Sequence, residues 1–111
     1  MIKQNITIQS SATKTVSGQS SAIDVSSIDE MVVFLNVSAV SGTSPTLDVT
    51  IEDSPDGTNW YTHTSFTQAT ATTKEAKRIS NFGKFVRINY TIGGTSPSFT
   101  FEVVAVGKLI L

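Results

Sequence analysis

The residues with chemical potential are few and dispersed. The 111-residue chain has one histidine, His63, and no cysteine, which leaves a nucleophile–histidine relay or a thiolate metal site almost nothing to use. Thr62 and Thr64 flank His63 in a stretch that reads as a strand, so the imidazole lies on the face opposite theirs, as a rim or surface residue. The acids Asp24, Asp29, Glu30, Asp48, Glu52, Asp53, Asp56, Glu75 and Glu102 are spread without a pair spaced as general acid and base. No glycine loop follows a strand and opens a helix to cradle phosphate. The expectation is a protein that is not an enzyme, with no catalytic, cofactor-binding or metal residues.

The densest constellation is Asp53-Ser54-Pro55-Asp56-Gly57-Thr58-Asn59-Trp60-Tyr61. Pro55 presets the second turn position, Asp56 bonds the backbone two residues on, and Gly57 takes the left-handed position, so Pro55, Asp56 and Gly57 are read as a structural turn. Asp53, Asp56 and Asn59 offer oxygens to a calcium ion, but without the ligand count and spacing of a calcium loop. Trp60 and Tyr61 follow as candidate partner contacts. Residues 54–60 are similar to the Ser-x-Asp-Gly-x-x-Trp hairpin of discoidin-type and other carbohydrate-binding β-sandwiches, and more loosely to the sialidase Asp-box. That motif builds a turn and buries an aromatic, so Trp60 reads as an anchor before it reads as a sugar platform.

What positions these residues follows from composition and rhythm. Charged residues are only 15% of the chain and the net charge is -1, which gives no field to draw in nucleic acid or an anionic membrane. The first residues, Met1-Ile2-Lys3-Gln4-Asn5, lack a secretory apolar run, and no stretch is long enough to span a bilayer as a helix, so synthesis in a cytoplasm is expected. Leu47, Val49 and Ile51 alternate with polar neighbours, as do Val86, Ile88, Tyr90 and Ile92, and Phe99, Phe101, Val103 and Ala105. These are half-buried strands. Weaker strands are expected near residues 4–9, 12–16, 21–25, 60–67 and 73–79. Residues 31–35, Met-Val-Val-Phe-Leu, are apolar on both faces, which suggests a central or covered strand. Only Ser27-Ile28-Asp29-Glu30 reads as a helical turn, with Ser27 as its cap. The expected fold is all-β, an antiparallel two-sheet β-sandwich of Ig-like or jelly-roll-like type. Residues 19–111 form that domain and residues 1–18 an N-terminal arm or edge strand.

An internal echo aligns residues 40–49 with 92–101, each copy carrying Gly-Thr-Ser-Pro. The expectation is two equivalent hairpins at one end of the domain, with Gly42 and Pro45, and Gly94 and Pro97, as their turn residues. Gln68-Ala69-Thr70-Ala71-Thr72-Thr73 reads as an exposed, mobile loop. Lys74-Glu75-Ala76-Lys77-Arg78 reads as an edge strand guarded by its charges.

The chain resembles small β-sandwich virion proteins of tailed bacteriophages. The resemblance rests on residues 47–60, Leu-Asp-Val-Thr-Ile-Glu-Asp-Ser-Pro-Asp-Gly-Thr-Asn-Trp, on residues 83–101 from Gly83-Lys84-Phe85 to Phe99-Thr100-Phe101, and on the short finish at Leu111, and covers roughly 31–111. It implies a non-enzymatic virion protein, foremost a capsid decoration (auxiliary head) protein that docks in many copies on the shell. It also implies the major capsid protein or other virion proteins as partners, and a homo-oligomer with a trimer favoured. A tail or head-to-tail joining protein and a carbohydrate-binding module are the alternatives. Residues 103–111 become apolar on both faces, so the chain end is expected to be covered by its own fold or by a neighbouring subunit, with Leu109, Ile110 and Leu111 as candidate contacts.

Overall fold

Two unusually long strands make most of the protein. The computed structural model describes residues 2–110, and its elements are β1 (Lys3–Lys14), β2 (Gly18–Gln19), β3 (Ile23–Asp24), β4 (Ile28–Ser54), β5 (Tyr61–Ser65), β6 (Thr73–Ser80) and β7 (Phe85–Leu109). All pairing is antiparallel, and no helix occurs among the described residues. β4 and β7 pair along their whole lengths, from Ile28 opposite Leu109 to Ser54 opposite Phe85.

A straight strand of 27 residues would reach about 90 Å at ~3.3 Å per residue. The longest extent of the molecule is 48 Å and the shortest 19 Å. The β4–β7 ribbon is therefore folded back on itself midway, and the thickness fits two layers roughly 10 Å apart. The first arm joins residues 28–40 of β4 to residues 99–109 of β7, flanked by β1 on β7 and β6 on β4. The second joins residues 47–54 to residues 85–92, flanked by β5 on one side and by β2 and β3 on the other.

The expected hairpins at the two Gly-Thr-Ser-Pro segments are corrected by this topology. Residues 41–46 and 93–98 lie inside β4 and β7, side by side, and bend both strands at the same place. Gly42 and Gly94 have φ of 111° and 113°, and Ser44 and Ser96 have φ of 49° and 48°. The contacts are reciprocal: a Cβ on Gly42 would lie 2.7 Å from the Ser96 carbonyl oxygen, and one on Gly94 would lie 2.8 Å from that of Ser44. Each strand turns through a bend that its twin fills, so Pro45 and Pro97 sit where the ladder already skips. The hydrogen bonding consequently runs through one seven-stranded sheet, in place of the two separate sheets expected.

Alternation then builds the core. Val33, Leu47, Ile51, Val86, Ile88, Phe99, Phe101 and Val103 are fully buried, drawn from both arms. Tyr90 of the second arm meets Phe101 of the first edge-to-face at 5.4 Å between ring centres, which joins the layers directly. Two further expectations change. The Ser27 segment is a two-residue turn, closed by Ile28 N–H donating to the Val25 carbonyl, and Asp24 accepts from Ser26 N–H to form it. The loop at 68–73 is pinned, because Ala69 is buried and exchanges both backbone hydrogen bonds with Leu47 at 2.8 Å. Residues 3–14 are an edge strand on β7, irregular after Thr7 and Gln9.

Candidate docking surface

The outward side of the first arm departs from the rule that exposed strand faces are polar. Across β7 and β4 the register sets Lys108 beside Glu30, Val106 beside Val32, Val104 beside Phe34, and Glu102 beside Asn36. β6 adds Arg78 next to Val32 and Ala76 next to Phe34, and β1 adds Asn5 next to Val106 and Thr7 next to Val104. Phe34 is 40% exposed in the middle of a sheet. Val32, Val104 and Val106 around it are half-buried. The block is apolar and framed by charge.

At the free end of the arm, Lys108 Nζ donates to Glu30 Oε1. Lys3 and Arg78 stand on either side of a shallow depression of about 360 Å3 with Val32 and Val106 in its lining. Lys74 and Glu102 lie toward the crossing, so the rim holds four cations and two carboxylates. β6 is an edge strand carrying Lys74, Glu75, Lys77 and Arg78, which discourages sheet-to-sheet addition there. Burial raises the Glu75 carboxyl, but the N–H and hydroxyl of Thr67 and the nearby Lys77 outweigh it and hold the group below the ordinary carboxylate range.

The second arm's outward side is polar and knitted to itself. Gln19 bonds Asn89 at 3.1 Å, Thr50 bonds Ser65 at 3.1 Å, Gln68 bonds Asp48 at 3.1 Å and Arg87 pairs with Glu52 at 2.8 Å. The Arg87 guanidinium also lies 4.2 Å from the centre of the Trp60 ring. One face of Trp60 is thus occupied. Tyr61 on edge strand β5 is 56% exposed.

The turn residues are used by the turn itself. Ser54 is buried, and its Oγ accepts from Asp56 N–H and Gly57 N–H. Asp56 accepts from Asn59 N–H, Thr58 N–H and the Asn59 side chain, and these bonds hold its carboxyl far below the ordinary value of 3.8. Asp53 Oδ2 accepts from Gly83 N–H at 2.7 Å. These oxygens point at backbone donors and do not converge on a cation; among the described residues no group of three His, Cys, Asp or Glu is placed to hold a metal. His63 hydrogen-bonds Thr64 Oγ1 through Nδ1 and donates from Nε2 to the Ser80 carbonyl, both at 2.8 Å. It ties β5 to the end of β6.

The named contact residues are thus divided. Trp60 and Tyr61 belong to the second arm, whereas Leu109 packs against the core and Ile110, 57% exposed, donates its N–H to Ser27 at the end of the first. Leu111 lies outside the described residues. Val32, Phe34, Val104 and Val106 were not singled out from the sequence, although both runs that carry them lack alternation. Those two runs pair with each other, and their inward halves make core while their outward halves make the block.

No family model matches the chain, and no curated protein matches it in sequence. Among solved structures the fold is similar to that of the PBSX exported protein XepA, at 13% identity and a TM-score of 0.66, over 99% of this chain and 38% of that one. It is similar to the Bacillus endospore appendage protein of the disulfide-linked pili, at 11% identity and 0.63, over 99% and 88%. The SPBc2 prophage-derived protein YomS follows at 13% and 0.51, over 95% and 93%. The chain spans little more than a third of XepA, and at these identities what it shares with all three is the fold.

Proposed function

We propose that the chain is a non-enzymatic structural subunit of a tailed-bacteriophage particle, a capsid decoration protein bound in many copies to the assembled shell. The observation that carries the reading is the apolar block around Phe34 on the outside of an otherwise well-satisfied sheet. Exposed apolar patches of this kind mark contact surfaces in soluble proteins. His63 and the Asp56 carboxylate, the groups closest to chemistry, are committed to holding turns and edges. The fold's likeness to a prophage-derived protein and to a subunit of surface appendages adds support for assembly work. A pilus linked by disulfides is not a model for this chain, which has no cysteine. Arg87 over one face of Trp60 weighs against the carbohydrate alternative.

Co-sedimentation of purified protein with undecorated shells tests the reading. Saturable binding in many copies is expected, and no binding across a wide range of salt would contradict it.

A further inference from the structure

We propose that the outward face of the first arm packs against the same face of a second copy of this chain, about a two-fold axis lying in the plane between them. The inference rests on reading that face as a contact surface within the many-copy array on the particle and makes its occupant the neighbouring copy, which leaves the other surfaces of the chain to meet the shell. An axis along the strands exchanges the β7 and β4 columns. Lys108 then faces Glu30 of the second copy, Val106 faces Val32, Val104 faces Phe34 and Glu102 faces Asn36. An axis across the strands reverses the rows: Lys108 meets Glu102, Glu30 meets Asn36, and the four apolar residues again cover one another. In either case Lys108 finds a carboxylate. Arg78 comes opposite Asn5 in the first arrangement and Ala76 in the second, so no like charges are forced together. Isologous contacts require a self-complementary surface, and this face meets that requirement.

β6 pairs with β4 over eight residues, so four strands at ~4.8 Å spacing and ~3.3 Å per residue present roughly 500 Å2 per copy, about 1,000 Å2 over both, which is the low end of specific interfaces and suits a weak dimer. The two arms differ here, because the second arm's outward side carries hydrogen-bonded side chains that a partner would gain little by covering.

Sedimentation velocity of the full chain, from micromolar to about 1 mM, tests the proposal. A monomer–dimer equilibrium is expected. Phe34→Asp raises its dissociation constant by about 30-fold or more, as loss of a central aromatic anchor does, and Lys108→Glu raises it by about tenfold. Adding Glu30→Lys to Lys108→Glu restores the dimer if the axis runs along the strands, and adding Glu102→Lys restores it if the axis runs across. Urea midpoints confirm that each variant is folded; should Phe34→Asp fail to fold, the rim charge swaps carry the test alone. A monomer at every concentration, a trimer, an open series, or a dimer indifferent to these changes would overturn the proposal. Shell binding is read separately: a monomer that still binds shells removes only the second-copy inference, and a dimer that ignores shells removes only the particle.

Discussion

The two arms are made by the same two strands, yet their outward sides are opposites. Inside, both obey one rule: Val33, Val103 and Phe101 in the first arm and Ile51, Val86 and Ile88 in the second are equally sealed. Outside, the second arm spends its side chains on one another, through Gln19–Asn89, Thr50–Ser65, Gln68–Asp48 and Arg87–Glu52. The first arm leaves Phe34, Val32, Val104 and Val106 facing out. The common inner rule builds the core, and the outer difference is the basis of the proposed contact through the first arm alone.

Substitutions that break the shared rule have the largest effects. Phe101→Ala, in the inner layer where Tyr90 touches it, should destabilise the protein by about 4 kcal/mol in urea titrations, and Ile51→Ala in the other arm by about 3 kcal/mol. A loss confined to one of them would mean that the arms do not share a core. Next comes the crossing. Gly42→Ala places a Cβ against the Ser96 carbonyl at a φ of 111°, which should cost about 3 kcal/mol, and Gly94→Ala should match it because the contact is reciprocal. Gly57→Ala is the control, with a positive φ but only the Phe85 ring nearby at 3.6 Å, and should cost about 1 kcal/mol.

The outer sides separate when stability and association are measured together. Phe34→Asp and Thr50→Asp both change an outward residue, and each should move stability by less than about 1 kcal/mol. Only Phe34→Asp should weaken concentration-dependent association. Equal effects of the pair on association would erase the distinction between the arms.

Acid gives a smaller and signed effect. Asp56 has a folded pKa held well below 3.8, chiefly by the Asn59 and Thr58 N–H groups. Its contribution is fully present above about pH 4 and is lost as pH falls through the depressed folded value. Asp24, lowered by its bonds from Ser26, shares the sign. Unfolding midpoints should therefore fall between pH 4 and lower values, and Asp56→Asn should flatten that decline without altering the neutral-pH association. At Arg87→Met the loss of the half-buried pair with Glu52 should cost less than about 0.5 kcal/mol and uncover the ring of Trp60. Fluorescence of this single tryptophan should report it.

How far the sequence could be read depends on how local each signal is. The strands holding Leu47, Val49 and Ile51, or Phe99, Phe101 and Val103, were legible because period-two alternation is written into consecutive residues. The crossing was not, since Gly-Thr-Ser-Pro signals a bend equally well in a hairpin or in a strand that continues; only the presence of a twin at the facing position decides between them. Ala69 was misread as mobile because a single small anchor leaves no periodicity. For the candidate docking block, Met31 to Leu35 and residues 103–111 are visible as two-faced runs, but a run covered by its own fold and one awaiting a partner look alike. Their pairing on one uncovered side, fixed across some seventy positions of chain, is information that only the fold supplies. Trp60 drew notice by its type, and its cover comes from Arg87, 27 residues away.

The most direct test of the asymmetry is accessibility measured methyl by methyl. With a soluble paramagnetic probe and selectively labelled protein, the Val32, Val104 and Val106 methyls should become protected as the protein is concentrated or bound to shells, while Thr50 and Thr91 stay open. Equal exposure of both sets at every concentration and on the particle would contradict the account.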